Sequence, residues 1–168
     1  MKEKVVVLDR GNVEFLYPET WKLSGAKEGY LTLTDPSESV RLEVSYLKLP
    51  PAAEGIQVEA LLTRLLAQVP EAGANPAVES REEAGRRYAW CDYAYPSTDK
   101  RTGDPAEAHG RWMLGSNGLF QLLMTYYYWA DDRSWAVPAW ERILETIQFG
   151  DGSQLDGPEA HWSMRKKN

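Results

Sequence analysis

The chain has 168 residues, a formal net charge of −6, seven Trp, nine Tyr and a single cysteine. That length makes one ordinary domain, burying roughly 70% of its unfolded surface, and each large aromatic ring adds about 150–250 Å² of burial. The acidic balance excludes the broad positive footprint of a nucleic-acid-binding surface, and one thiol excludes an internal disulfide.

The basic clusters Arg86-Arg87, Lys100-Arg101 and Arg165-Lys166-Lys167 are short and read as solvated faces. The apolar run Val5–Leu8 is too short for a secretory leader, and no stretch reaches the length that spans a bilayer. Together these features predict a soluble cytoplasmic protein without membrane insertion.

Val5–Leu8 and Val13–Tyr17 read as an N-terminal hairpin around Asp9-Arg10-Gly11. A three-residue loop with Gly11 left-handed sets Val7 opposite Val13 and puts Val5, Val7, Val13 and Phe15 on one face. Pro18 ends the second strand, and Trp21 follows in an irregular corner. Tyr30–Thr34 and Ser39–Tyr46 alternate around Asp35-Pro36. Leu31, Leu33, Val40, Leu42 and Val44 form their apolar face, and Thr32, Arg41, Glu43 and Ser45 the polar one.

Pro50-Pro51 breaks the sheet. From Ile56 to Val69, apolar residues at 58, 61, 62, 65, 66 and 69 mark one face of a helix that Pro70 stops. Strands follow near Ala77–Arg81 and Arg86–Tyr95, with Gly85 between them. Pro96–Glu107 reads as a polar loop, the longest and most mobile of the chain.

The hairpin around Asn117-Gly118 allows two registers. A two-residue turn mixes polar and apolar residues on both faces. A three-residue loop sets Leu114 opposite Phe120 and gathers Trp112, Leu114, Phe120, Leu122, Met124 and Tyr126 on one face. His109, Arg111, Met113, Gln121, Leu123, Thr125 and Tyr127 then share the other. The second register is preferred, because a slip of one residue would turn the core set outward. Asp132 or Ser134 caps a closing helix with Pro138 in its first turn and a buried stripe of Trp140, Ile143, Leu144 and Ile147. The domain is expected to span 1–150, with 151–168 a loosely held tail.

Phe15-Leu-Tyr17-Pro18-Glu-Thr-Trp21, the Leu31–Tyr46 hairpin, the helix Val58–Val69, Asn117-Gly118 with Phe120, Asp132–Trp135 and Ile147-Gln-Phe149 resemble the PsbP-like superfamily. That is the fold of an extrinsic photosystem subunit, of small Ran-binding proteins and of bacterial secretion-accessory proteins. The resemblance runs from about Val13 to Phe149. It implies an α+β sandwich: a single antiparallel sheet with an N-terminal hairpin, a central helix and a C-terminal helix packed on it. It also implies a binding or accessory role with no family-wide catalytic motif. The chain has little sequence before its first strand, so an N-terminal helix of relatives is expected to be missing, leaving the second sheet face less covered.

No reactive constellation emerges from the residues. His109, His161 and Cys91 cannot build a Cys/His zinc site, and neither a metal nor a cofactor is expected. Cys91 reads as a small buried hydrophobe beside Ala89. Gly115–Gly118 joins two strands and Gly150–Gly152 ends a helix, so neither cradles phosphate. Asp131-Asp132 serves the helix start. Within Tyr126–Trp129, Tyr126 and Tyr128 point to the core.

What remains is a surface. Arg41, Glu43, His109, Arg111, Met113, Gln121 and Tyr127 are expected on one wet sheet face, joined by Tyr88, Trp90 and Asp92 if Ala89 and Cys91 pack under a helix. The leading expectation is a non-enzymatic module that contacts a protein or peptide through this polar and aromatic face. One alternative is a small-ligand binder or enzyme using Tyr88, Asp92, His109 and Arg111. The other is a structural homodimer joined through the same face.

Overall fold

A computed structural model describes residues 2–27, 29–50, 55, 57–151 and, as backbone, 163–166. Its strands are β1 (Glu3–Leu8), β2 (Val13–Pro18), β3 (Lys22–Lys27), β4 (Tyr30–Thr34), β5 (Val40–Lys48), β6 (Glu79–Glu83), β7 (Arg86–Thr98), β8 (Pro105–Ser116), β9 (Phe120–Trp129), β10 (Gln148–Phe149) and β11 (Ser163–Lys166). The helices are α1 (Val58–Leu66) and α2 (Arg133–Glu145). His161 lies outside the described residues. Within the segment read as a loose tail, β11 pairs antiparallel with β1.

The strands form two antiparallel sheets, in the orders β10-β2-β1-β11 and β3-β4-β5-β9-β8-β7-β6. The expectation of one sheet is thereby corrected. The N-terminal hairpin carries an apolar face of its own, and stacking it on the larger sheet buries both. Val6, Leu8, Val13, Phe15 and Tyr17 meet Leu31, Leu33, Leu42, Phe120, Leu122 and Tyr126 in one core, which Trp140 and Ile143 of α2 complete.

The β4–β5 hairpin matches its alternation, with Leu33 opposite Leu42 and Leu31 opposite Val44. Helix α1 lies on the other side of the large sheet. There Val58, Leu62 and Leu66 pack on Ala89, Cys91 and Leu114, the small residues letting the helix approach closely.

Two registers differ from expectation. In the first hairpin Leu8 pairs with Val13 and Val6 with Phe15, so Val6 and Leu8, not Val5 and Val7, face the core with Val13 and Phe15. In the β8–β9 hairpin Leu114 pairs with Leu123, Met113 with Met124 and Arg111 with Tyr126. The turn has Gly118 (φ 86°) and Leu119 at its centre, and Asn117 N–H donates to Phe120 O at 3.3 Å. Glycine at the first central position is what a type II′ turn requires. The pairing turns β8 over relative to β9. His109, Arg111 and Met113 share the core-side face with Phe120, Leu122, Met124 and Tyr126, while Trp112 and Leu114 share the outer face with Gln121, Leu123, Thr125 and Tyr127.

The segment read as a long loop is instead the end of a hairpin arm. Pro96 pairs with Glu107 and Thr98 with Pro105, and Asp99 closes the tip by accepting from Arg101 N–H at 2.8 Å. The arm runs past the end of β9, both its faces meet solvent, and so its sequence lacks apolar alternation. Pro138 sits in the second turn of α2, not the first. Asp132 holds the N-cap position, but its carboxylate accepts from Trp135 Nε1 (3.3 Å) rather than from a backbone amide.

Burial raises the phenol pKa of Tyr17, Tyr46, Tyr93, Tyr95 and Tyr126 above the ordinary 10.0; at Tyr46 the hydroxyl also donates to Asp9 at 2.7 Å. Because the folded state holds these protons more tightly, their contribution is whole below pH 10.0 and is lost as pH rises beyond it. The urea midpoint is expected to stay level up to that pH and then to fall, with tyrosinate absorbance rising together with unfolding. Ionisation of these five phenols near their ordinary value with the fold intact would refute this.

Candidate functional site

In β7, residues of even number face the core side of the large sheet. Tyr88 pairs with Gly115, Trp90 with Met113 and Asp92 with Arg111. The small sheet and α2 cover the core side of β4, β5 and β9, and they leave much of β6, β7 and β8 uncovered. The result is a cleft of about 620 Å³. Arg81, Arg86, Tyr88, Trp90, Asp92, Arg111 and Met113 form its floor, and Trp140, Glu141, Leu144, Glu145 and Ile147 its wall. Arg133, at the start of α2, acts on the Asp92 carboxylate, and Phe149, just past its end, packs on Tyr88 with ring centroids 6.4 Å apart. The helix therefore runs beside β7 in the opposite sense.

Two glycines make room for the aromatic floor and its counterpart on the outer face. Tyr88 lies over Gly115, where a Cβ would sit 3.1 Å from its Cδ1. On the outer face Tyr93 lies over Gly110, where a Cβ would meet the ring at 2.4 Å. In both, a tyrosine covers the bare backbone of its cross-strand partner.

The charges differ in burial. The Arg111 side chain is 14% exposed and its Nη2 lies 3.4 Å from Asp92 Oδ2, while Asp92 is 53% exposed. Arg111 Nε is buried with no acceptor among the described residues. The guanidinium also stands over the Tyr128 ring, 5.9 Å from its centroid. Loss of hydration raises the Asp92 pKa, an effect opposed by Arg111, reinforced by Glu79, and opposed further by His109 and Arg133. Nearer the mouth, Arg81 lies over Tyr88 (5.6 Å) and pairs with Glu83 at 3.7 Å.

The structure divides the ten residues expected on one face. Tyr88, Trp90, Asp92, Arg111 and Met113 come together in the cleft. His109 shares their side of the sheet, but its ring stacks on Tyr128 (5.0 Å) and its Nε2 lies 3.2 Å from Glu107. Arg41, Glu43, Gln121 and Tyr127 project from the opposite face, where Arg41 pairs with Glu43 and Tyr127 accepts from Trp112 Nε1 at 3.2 Å. The single contact face is thus corrected, and its cause is the β8–β9 register.

Sequence reasoning missed Arg81, Arg86, Glu141 and Glu145. Parity along β7 was the available signal for Arg86. The α2 acids carried none, because the apolar stripe of Trp140 and Leu144 does not show that part of it overhangs an open sheet. Cys91 is buried beneath α1, on the side away from the cleft. Among the described residues no group of three or more His, Cys, Asp or Glu is arranged to hold a metal ion, and no helix is long and apolar enough to cross a membrane.

The two-sheet α+β sandwich with its helices is a PsbP-like fold. It superposes on the solution structure of cyanobacterial PsbP (CyanoP) from Synechocystis sp. PCC 6803 with a TM-score of 0.65 at 16% identity, over 89% of this chain and 94% of that one. A crystal structure from Bacteroides thetaiotaomicron gives a TM-score of 0.62 at 10% identity, over 91% of this chain and 51% of that one. Residues 4–152 match the Alr1449 family model, and the chain belongs to that family. It is 24% identical over 155 residues to the protein alr1449 of Nostoc sp., itself described as uncharacterised, across 88% of this chain and 77% of that protein.

Proposed function

We propose that this protein is a binding module whose site is the cleft between α2 and strands β6–β8, and that it takes a short extended segment of a protein partner. The observation that carries this reading is the convergence of Tyr88, Trp90 and Met113 with Trp140 and Leu144 across a cleft of about 620 Å³. That volume lies within the range of about 300–1,000 Å³ for sites that enclose a ligand. The floor follows β7 from Arg86 to Asp92, and the six steps between them span about 20 Å, the length of an extended hexapeptide. Aromatic rings flanked by a few charged groups are the composition of a recognition surface.

Among the described residues lining the cleft none is Ser, Thr, Cys, His or Lys. The lining therefore lacks the hydroxyl, thiol, imidazole and amine groups of the usual nucleophile–base pairs, and its carboxylates and Tyr88 have no such partner within it. The accessory roles of proteins with this fold point the same way. β-Strand addition at the sheet edge fits less well, because β6 is exposed throughout and carries Glu79, Arg81, Glu82 and Glu83, charges that discourage edge pairing.

Selection from a displayed library of random hexapeptides tests the reading. Enriched peptides are expected to bind Trp90→Ala at least about tenfold more weakly, the loss of one aromatic anchor, and to bind Tyr127→Ala, altered on the opposite face, as they bind the unaltered protein. No enrichment, or binding that ignores Trp90, would overturn it.

A further inference from the structure

The cleft also carries a chemical preference, which rests on the reading of it as a peptide site. Arg111 is its buried cation. A guanidinium offers five N–H donors, and charge-assisted bonds from it to a carboxylate usually measure about 2.7–2.9 Å. Arg111 meets Asp92 at 3.4 Å, and that carboxylate is half in solvent while the guanidinium is 14% exposed. Its Nε is satisfied by no acceptor among the described residues, and the Tyr128 ring covers one side. The other floor arginine with a partner, Arg81, is 64% exposed and needs none. A cation that has given up most of its water for one loose contact binds a better-placed carboxylate strongly.

We infer that Arg111 anchors the carboxylate of an acidic residue in the bound segment, and that Asp92 is a placeholder which this carboxylate displaces toward solvent. Neighbouring apolar side chains of the segment lie on Tyr88, Trp90 and Leu144, the half-buried apolar residues that share the cleft with Arg111. Glu141 and Glu145 along the helix wall oppose a run of acids, so the preferred segment holds one acidic residue among apolar ones.

The hexapeptides enriched on the unaltered protein supply the probes. They are expected to carry a single Asp or Glu, and exchange of that residue for its amide should weaken binding about tenfold or more. Arg111→Ala should bind the acid and amide peptides equally. Asp92→Asn removes the competitor and should tighten binding of the acid peptide severalfold, a gain that misfolding cannot imitate. Equal binding of acid and amide peptides to the unaltered protein, or weaker binding to Asp92→Asn, overturns the anchor. If such charge-indifferent peptides still depend on Trp90, the peptide cleft stands and only the anchor falls. If no hexapeptide is enriched, both fall.

Discussion

Tyr126→Ala is expected to destabilise the protein by about 3–5 kcal/mol, the range for deleting a buried aromatic ring. Tyr126 is 0% exposed. Its ring stacks on Trp140 at 5.0 Å and on Trp21 at 6.2 Å and tilts against Tyr128 at 5.8 Å, and its hydroxyl donates to the Ala136 carbonyl at 2.8 Å. It therefore joins the large sheet to α2 and to the corner after β2. Tyr126→Phe keeps the ring and loses one hydrogen bond, which costs about 1 kcal/mol. Urea midpoints at constant m-value measure both. Because α2 is a wall of the cleft, the Ala variant should also bind the enriched hexapeptides more weakly. Equal midpoints for the two variants would show that the ring does not hold the layers together.

Gly150→Val should have the second-largest effect, about 2–4 kcal/mol from overpacking together with two strained hydrogen bonds. The Gly150 N–H donates to Asn12 O at 2.8 Å, and its carbonyl accepts from Asn117 Nδ2 at 2.9 Å. One residue thus ties the β1–β2 turn to the β8–β9 turn. A Cβ there would lie 2.9 Å from Asn12 Oδ1, 3.0 Å from Asn12 Cα and 3.1 Å from Gly11 O. Two of those three atoms are backbone and cannot swing aside. The melting temperature is the direct measure, and a change of less than about 2 °C would refute the tether.

The same tether explains where sequence reasoning stopped. Asn12 is 3% exposed and held to Asp9, its Nδ2 donating to Oδ2 at 3.1 Å, while its carbonyl faces Gly150. Asn117 Oδ1 accepts from Leu119 N–H (3.1 Å) and Phe120 N–H (2.9 Å), while its amide reaches Gly150. The first turn closes one residue away from the loop that Gly11 suggests, and in the second Leu114 meets Leu123, three residues beyond the expected Phe120. Beside these local bonds, each turn has one that runs to Gly150, and no short window of sequence contains it. In a pleated strand a shift of partner by an odd number of residues moves every side chain across the sheet. The ten-residue contact face was lost for that reason, and half of it reappeared as a cleft.

Within single elements the sequence was sufficient. The alternation in β4, β5 and β9, the placing of Ala89 and Cys91 beneath α1, the burial of Tyr126 and Tyr128 and the PsbP-like resemblance all follow from it. Pleat and helical pitch are local, so the residues of one element declare its greasy side by themselves. Tertiary structure alone decided that the first hairpin belongs to a second sheet, that Arg111 stands with Phe120 rather than with Gln121, and that α2 overhangs β7 to enclose a cleft. Those outcomes depend on which faces are still unburied once the elements meet and on hydrogen bonds between turns far apart in sequence, and both exist only in the assembled fold.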